Sequence, residues 1–338
     1  MRIGKQVLFI GTEFYSYHNN IKLEMERQGY QVDFFGDRPN LSSLTRATLK
    51  INPDLMKRQI KRHTDLILNF TETKKYDLIF ILNGKALTRD MIQSLKEQQP
   101  QAELILYLWD AVQLYPLVKE MIPLFDRCYT FDYKDAESIM ELEHLPLFYG
   151  KEYEAVGAEP SKEFKYDISS ICTAHPNRYE LIHRVFPEFE KKGIKIFSFY
   201  YIMKLQYLYN KLFQKEFKDA KKEEFNFVSM KEDEVVDIIK KSKCVFDIPH
   251  AKQTGLTMRT IETVGAKRKL ITTNPLAERY TFYHPDNVFI FDPKNYEELY
   301  EFLLRPYVPL KETVHQSYSL ESWVKRILDK DYDLEYLR

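Results

Sequence analysis

The chain has 338 residues, of which 44% are hydrophobic and 14% aromatic, so it can bury extended cores and is not expected to be disordered. Its 50 basic residues balance its 50 acidic residues, which leaves no net positive field to attract nucleic acid, and we expect no nucleic-acid partner. The cysteines, Cys128, Cys172 and Cys244, have neither CxxC nor Cys/His spacing, which argues against a disulfide framework or a structural zinc site and favours a reducing cytoplasm.

The N-terminal segment begins with a short apolar strand rather than a secretory signal, and no apolar run approaches the roughly 20 residues of a membrane-spanning helix. Short apolar runs then alternate with amphipathic stretches. The predicted strands are 7–11, 31–36, 78–82, 104–109 and 128–131, and the predicted helices are 21–30, 54–71, 88–98, 112–125 and 134–142. This alternation predicts a parallel sheet with helices on both faces, in a first Rossmann-like domain of residues 1–150.

A second series follows residues 145–165, a stretch without helical periodicity that we interpret as an interdomain linker. The predicted strands are 166–172, 194–199, 225–228, 244–248, 269–272 and 288–291, and the predicted helices include 178–191, 202–220, 232–241, 297–304 and 320–328. The chain is therefore predicted to be an α/β protein with two Rossmann-like, doubly wound parallel-sheet domains facing each other across a cleft. The second domain covers 151–318, and a C-terminal helix and tail cover 319–338.

The stretch Cys244–Asn274 predicts a strand, a polar loop with Gly255, a short helix with Arg259 and Glu262, and another strand. Ligands of open α/β sheets bind beyond the carboxyl ends of the strands. Residues three apart on a helix are neighbours, so Arg259 and Glu262 can present their charges side by side. The cation suits a phosphate, and the carboxylate suits ribose hydroxyls. The alternative is an exposed ion pair worth only about 0.3–0.5 kcal/mol.

Other polar residues of the second half are candidates for the same pocket. Thr173–Arg178 opens a helix with a proline near its first position, and His175 and Arg178 there suit an anion. The alternative for Arg178 is a surface pair with Glu180 or Glu188. The remaining candidates are His250, Thr257, Thr273 and Asn274, of which the last two could instead cap the helix that starts near Pro275.

In the first half, the loop Gly11–Asn20 has one glycine and does not match GxGxxG, which argues against a nicotinamide or flavin dehydrogenase. Glu13 or His18 in this loop could act as a general base, and the alternative is a solvated loop. Asp110 is a third candidate base and follows an apolar run, and the alternative is an N-cap of the helix near Val112. Lining candidates are Thr12, Tyr15, Asn83, Lys85 and Trp109, the last of which could stack on a sugar ring.

Two further stretches have competing interpretations. Asp329–Asp333 contains DxD spacings but lies in a charged tail, so we expect a solvated segment and no metal site. Residues 200–222 interleave Tyr and Phe with lysines, and we expect core packing with a Lys-rich solvent face. The alternative hypothesis is that residues 200–222 bind peripherally to the inner face of an anionic membrane.

The segments KYDISSICTAHPNRYELI and GLTMRTIETVGAKRKLITTN resemble those of GT-B glycosyltransferases, in particular the CgeB-like and capsular or lipopolysaccharide group. The resemblance implies that the second domain binds a nucleotide-sugar, most often a UDP-sugar, with Glu262 on the ribose and Arg259 and Arg178 on the diphosphate. It further implies that the first domain binds the acceptor, a glycan or a lipid-linked glycan, and that the final helix packs back toward the first domain.

The function predicted from this resemblance is metal-independent transfer of a sugar to a hydroxyl, in surface polysaccharide biosynthesis in the cytoplasm. No second glutamate lies about seven residues before Glu262, so His250 or Thr254 would have to serve there and the stereochemistry is left open. The alternatives are a nucleotide-sugar 2-epimerase and a non-catalytic protein that binds nucleotide-sugar or glycan.

Overall fold

The computed structural model describes residues 4–39, 53–159, 163–293 and 296–337. The chain divides into two compact units, one formed by Met1–Pro146 and Trp323–Asp333 and the other by Leu147–Ser322 and Leu334–Arg338. Each unit contains one fully parallel sheet with helices between its strands, as the alternation of apolar runs predicts. The predicted pair of parallel α/β sheets is confirmed.

The first unit has a six-stranded sheet in the order β2-β1-β3-β4-β5-β6. Its strands are β1 (Gln6–Gly11), β2 (Gln31–Gly36), β3 (Leu78–Leu82), β4 (Glu103–Leu108), β5 (Arg127–Thr130) and β6 (Leu142–His144). The intervening helices are α1 (Tyr17–Arg27), α2 (Pro53–Glu72), α3 (Arg89–Gln98) and α4 (Tyr133–Ser138). The central strands are buried on both faces, which explains their continuous apolar sequences.

The second unit has a five-stranded sheet in the order β11-β10-β9-β7-β8. Its strands are β7 (Tyr166–Thr173), β8 (Ile196–Tyr201), β9 (Ser242–Asp247), β10 (Lys269–Thr272) and β11 (Val288–Ile290). Its helices are α5 (Lys151–Ala158), α6 (Pro176–Lys191), α7 (Lys204–Phe213), α8 (Glu232–Lys240), α9 (Met258–Gly265), α10 (Tyr296–Leu304) and α11 (Glu312–Ser317). A last helix, α12 (Leu320–Leu328), precedes the C-terminal tail.

The part of α12 that belongs to the first unit is anchored in its core. The Trp323 side chain is fully buried, and its ring meets Tyr107 edge-on at 4.8 Å between centroids. Arg127 donates to the carbonyl of Ile327 at 2.9 Å and so satisfies one of the free carbonyls at the helix end. These C-terminal residues are therefore an integral element of the first unit.

The predicted linker 145–165 is wrong over part of its length, because Lys151–Ala158 forms helix α5. Glu152 and Glu154 lie in its first turn, where the helix dipole favours carboxylates, and Tyr153 and Val156 are buried three residues apart. A helix of eight residues with only two buried positions is too short to show a recognisable periodic pattern in the sequence. Residues 160–162 of the predicted linker lie outside the described part of the chain.

Four other predicted elements differ from the structure. The predicted helix 112–125 is a series of short 3-10 turns, since Pro116 and Pro123 lack the amide hydrogen that a continuous helix needs. The predicted helix 134–142 ends at Ser138, and its last residue starts β6. The predicted helix 202–220 stops at Phe213, and 225–228 forms no strand beyond an isolated bridge of Asn226 with Tyr201.

Candidate functional site

Polar residues of the second unit meet at the carboxyl edge of its sheet. Asp247, the last residue of β9, is paired with Thr272 of β10, and the end of β7 is paired with the end of β8. The loops that follow β7, β9 and β10 therefore leave the sheet at one edge, where open α/β sheets bind ligands. These loops and the first turns of the helices that follow them carry the second-half candidates that the sequence proposes.

Arg259 and Glu262 of α9 form a buried ion pair. Arg259 Nη1 lies 2.7 Å from Glu262 Oε2, and the two side chains are 19% and 1% exposed. The alternative of an exposed pair is therefore wrong. Since a buried charge pair gains little net stability over apolar packing, its presence at a ligand-binding edge favours a role beyond folding.

Residues from outside the motif complete the surroundings of this pair. One of them is Tyr153 on α5, which the sequence did not single out: burial and the nearby carboxylate of Glu262 raise the pKa of its hydroxyl, whereas the guanidinium of Arg259 lowers it. Burial, with smaller contributions from the carboxylates of Glu232 and Glu262, raises the pKa of the neighbouring Glu152 to about 7. Three carboxyls and one guanidinium thus converge here.

Asp247 holds the first turn of α9 to the end of β9. Its Oδ2 accepts hydrogen bonds from the hydroxyls of Thr257 at 2.5 Å and Thr260 at 2.8 Å. Thr257 is also the N-cap, and its hydroxyl accepts from the amide of Thr260 at 3.1 Å. The signal for Asp247 in the sequence is an acidic residue that ends an otherwise apolar run, directly before Ile248 and Pro249.

The loop before α9 is held from the next strand. Asn274 donates to the carbonyl of Thr254 at 3.1 Å and lies near that of Gly255 at 3.5 Å. It also accepts from the amide of Leu276 and caps the 3-10 turn there, so its capping role is confirmed. Thr273 beside it is half-buried, and Gly255 is buried.

His175 and Arg178 lie at the start of α6, where Pro176 occupies the first helical turn as predicted. Burial, with smaller contributions from the neighbouring Arg178 and His250, lowers the pKa of His175 to about 4. The rings of His175 and His250 meet edge-on at 5.2 Å. His175 is therefore neutral at physiological pH.

Arg178 has no carboxylate partner within 4.0 Å among the residues that the structure describes. Its Nη1 lies 3.5 Å from the carbonyl of Thr173, its buried Nε has no acceptor in that part of the chain, and Glu188 pairs with Lys191 instead. The predicted alternatives for this residue, Glu180 and Glu188, are thus not realised. Burial raises the pKa of the Cys172 thiol to about 11, although the positive charges of Arg178 and Arg259 both lower it. The two guanidinium groups therefore belong to one electrostatic neighbourhood.

In the first unit, Asn83, Lys85 and Asp110 meet at the carboxyl edge of the sheet. Asp110 Oδ2 accepts from Asn83 Nδ2 at 2.8 Å and lies 2.8 Å from Lys85 Nζ. The alternative of Asp110 as a helix cap is wrong, because Ala111 is the N-cap and the amide of Val112 donates to Asp135. Asn83 adopts a left-handed φ of 67°, which directs its amide group to this cluster.

The remaining first-half candidates surround the loop after β1. Thr12 donates to the buried carboxylate of Asp37 at 2.9 Å, which also binds Arg38. Glu13 is exposed, and its carboxylate lies against Gly36, where a Cβ would approach it to 3.0 Å. The exposed Tyr15 has a φ of 44°.

Two aromatic contacts complete this region. Trp109 meets Phe14 at 6.2 Å between ring centroids. The His18 ring stacks on Phe34 at 5.2 Å, and its buried Nδ1 has no hydrogen-bond partner among the described residues.

Within the described ranges, no group of three or more His, Cys, Asp or Glu side chains is arranged to hold a metal ion, and no helix is long and apolar enough to cross a membrane. In the tail, Asp329 accepts from the amide of Asp331 at 3.0 Å, and Asp329, Asp331 and Asp333 are exposed.

Comparison with known proteins identifies the fold. No family model and no curated protein matches the sequence. Solved structures match at low identity, among them Anabaena HepE in complex with UDP and glucose, which is 10% identical over 98% of this chain and 100% of that chain, with a TM-score of 0.59. The trehalose-phosphate synthase (UDP-forming) of Burkholderia xenovorans is 11% identical over 96% of this chain and 99% of that chain, with a TM-score of 0.61.

A UDP-N-acetylglucosamine 2-epimerase described as putative, from Listeria monocytogenes, also matches, at 11% identity over 96% of this chain and 95% of that chain, with a lower TM-score of 0.50. Matches that span both units show that the chain has the GT-B fold. The resemblance to the CgeB-like and capsular group stays a prediction.

Proposed function

We propose that the protein transfers a sugar from a nucleotide-sugar to a hydroxyl group of an acceptor. The observation that carries this proposal is the buried Arg259–Glu262 pair at the carboxyl edge of the second sheet, in one electrostatic neighbourhood with Arg178. A diphosphate needs cations and amide donors, and this edge supplies both through the two guanidinium groups and the start of α6. The GT-B fold is consistent with the same assignment.

In this proposal Arg259 and Arg178 bind the diphosphate and stabilise the negative charge that it gains on leaving. Two guanidinium groups can supply this stabilisation, which is why we propose a metal-independent transfer. Glu262 is only 1% exposed and is paired with Arg259. We therefore assign Glu262 two roles: it orients Arg259 before binding, and it accepts ribose hydroxyls once the guanidinium turns to the diphosphate.

The acceptor is assigned to the first unit, with Asp110 as the general base. Its carboxylate is oriented by Asn83 and Lys85, whereas Glu13 is exposed and His18 is packed on Phe34. The acceptor oxygen attacks the anomeric carbon, and the bond from that carbon to the diphosphate oxygen breaks. The electron pair leaves with the diphosphate, and the acceptor proton passes to the carboxylate.

The substrate classes follow from the chemistry of the two edges and from the neighbours. A UDP-sugar is the proposed donor, since HepE was solved with UDP and glucose. We propose a glycan or lipid-linked glycan as the acceptor, in surface polysaccharide synthesis. A cytoplasmic location agrees with the three free cysteines, two of them buried.

A nucleotide-sugar 2-epimerase is the second candidate, because the Listeria structure has the same fold. An epimerase would convert a nucleotide-sugar without any acceptor. A third candidate, a protein that binds a nucleotide-sugar or glycan without turnover, would show affinity alone.

The test is a thermal-shift screen of UDP-, ADP- and GDP-sugars, followed by incubation of each ligand with and without oligosaccharide acceptors. A donor at about 100 times its Kd should stabilise the fold by about 2.7 kcal/mol. Release of nucleotide diphosphate that depends on an acceptor would support transfer, and conversion without an acceptor would support epimerisation. A chain that no nucleotide or nucleotide-sugar stabilises is not a nucleotide-sugar transferase.

A further inference from the structure

Helix α7 has its polar and apolar sides reversed relative to an ordinary surface helix. Its buried residue is Asn210, which is 3% exposed, whereas Leu205 and Leu212 are 82% and 76% exposed. Leu208, Tyr209 and Phe213 are also exposed, as is Met203 at the N-cap. We call these six residues the apolar face of α7. The predicted core packing of the aromatic and apolar residues in 200–222 is therefore wrong for most of this helix.

The inward side of α7 is held by specific polar contacts. Asn210 accepts from the Gln206 side chain at 2.7 Å. Lys211 donates to the carbonyls of Lys218 and Ala220, both at 2.7 Å, so its ammonium closes the loop behind the helix. Beneath it, Tyr207 packs on Phe225 at 5.3 Å. The contacts of Lys211 and Tyr207 with residues outside the helix fix the rotation of α7, and its apolar face therefore points outward.

Exposing so many large apolar side chains on one short helix is costly in water, at roughly 25 cal/mol for each Å² of apolar surface. Such contiguous patches on a folded protein mark an interaction surface. The charges around the patch indicate which kind of partner this surface binds. Residues 203–222 contain six lysines and two acidic residues, in a chain whose overall charge is zero. Of the lysines, Lys204, Lys215, Lys218, Lys221 and Lys222 are exposed.

We infer that α7 docks the protein on an anionic lipid bilayer, with its apolar face among the acyl chains and the lysines at the head groups. A helix of ten residues is about 15 Å long and cannot span a core of about 30 Å, so it lies in the plane of the interface. A second copy is the less suitable occupant, because a two-fold interface through this face would bring two lysine clusters together.

Helix α7 starts close to the candidate site, although the membrane-docking proposal does not depend on that site. The helix follows β8 at the edge of the second sheet, and Tyr201, the last residue of β8, is paired with Thr173 of β7. The docked helix therefore starts at the same edge as His175 and Arg178. For the sugar transfer proposed above, this placement suits an acceptor carried by a lipid.

The test is flotation of the whole protein with vesicles of phosphatidylcholine alone or mixed with phosphatidylglycerol. We expect binding to the anionic vesicles, weakened several-fold when NaCl rises from about 0.1 to about 0.5 M. Replacing Leu205, Leu208 and Leu212 together by Ser should weaken it at least about tenfold. The matched control replaces Leu23, Leu117 and Leu304, three leucines that are exposed outside α7, by Ser. This control should bind the anionic vesicles as well as the parent protein does.

A second variant, Lys215→Gln with Lys218→Gln and Lys221→Gln, should lose the preference for anionic lipid and retain its thermal unfolding profile. The proposal is overturned if the parent protein does not float with anionic vesicles, or if the two leucine triples bind equally well. It is also overturned if light scattering shows a dimer that the α7 leucine variant converts to a monomer, since the face would then be an interface between copies. Donor binding is measured separately, so failure of sugar transfer would not affect this result.

Discussion

The carboxylate of Asp247 lies 2.5 Å from the hydroxyl of Thr257, ten residues later in the chain. This hydrogen bond joins the end of β9 to the N-cap of α9, and a second one reaches Thr260 at 2.8 Å. Arg259 and Glu262 lie in the first turns of the same helix, so their position depends on Asp247 although it touches neither.

Asp247→Asn should lower both stability and donor affinity, because a neutral amide oxygen accepts the two hydroxyl hydrogen bonds more weakly than a carboxylate oxygen does. We expect a loss of about 1–3 kcal/mol in the free energy of unfolding. Thr257→Ala, which removes the cap and the shorter hydrogen bond, should cost about 1–2 kcal/mol. Urea unfolding measures both. Equal stability of Asp247→Asn and the parent would contradict the anchoring role.

Arg259→Met should weaken the binding of a nucleotide diphosphate by about 1.5–3 kcal/mol, since a charge-assisted hydrogen bond to phosphate is lost. Isothermal titration calorimetry with UDP measures this effect. The matched control is Arg184→Met on the exposed surface of α6, which should leave the affinity unchanged.

Glu262→Gln separates the two roles proposed for this carboxylate. If it only orients Arg259, the affinities for UDP and for inorganic pyrophosphate should fall together. If it also binds the ribose, UDP should lose more affinity than pyrophosphate does. Unchanged binding of both ligands in Arg259→Met and Glu262→Gln would show that the donor site lies elsewhere.

Glu152 should make the fold less stable as pH rises. Its pKa of about 7 in the folded protein lies above the ordinary value of 4.5, so the folded state binds more protons between these two values. The free energy of unfolding therefore decreases as pH rises from about 4.5 to about 7. After allowance for solvent screening of this partly exposed group, the effect is about 1–2 kcal/mol.

Urea unfolding at pH 5 and pH 8 tests this linkage when the parent is compared with Glu152→Gln. The variant should be more stable than the parent at pH 8, and the difference should shrink at pH 5, where Glu152 is protonated. Glu154→Gln is the control, because its carboxylate lies in the same turn of α5. A difference between parent and Glu152→Gln that is the same at both pH values would contradict the raised pKa.

Asp110→Asn should reduce turnover by about 10²–10⁴-fold, the usual contribution of a general base, and leave donor affinity unchanged. The measurement is release of nucleotide diphosphate in the presence of the acceptor found by the screen. Glu13→Gln and His18→Asn are made in parallel. If one of them shows the large loss and Asp110→Asn does not, the base is that residue instead.

The sequence by itself determined most of the strands, because short apolar runs such as 78–82 are typical of strands buried on both faces of a sheet. It did not predict β6, and it predicted a strand at 225–228 that does not form. It also determined that Arg259 and Glu262 are neighbours, since a spacing of three residues places them on one side of a helix. Their burial was not predictable, because it depends on Tyr153 and Glu152 of α5, in a stretch that the pattern classed as a linker.

Only the tertiary structure decided which residues meet across long separations and which side of a helix faces outward. Asp247 joins Thr257 because β9 and α9 pack side by side, and no local pattern encodes that contact. Helix α7 shows the same limit, since an aromatic and apolar stripe has the same spacing whether it is buried or exposed. Its rotation was set by the contacts of Lys211 and Tyr207 with residues outside the helix, which leave Leu205 and Leu212 in solvent.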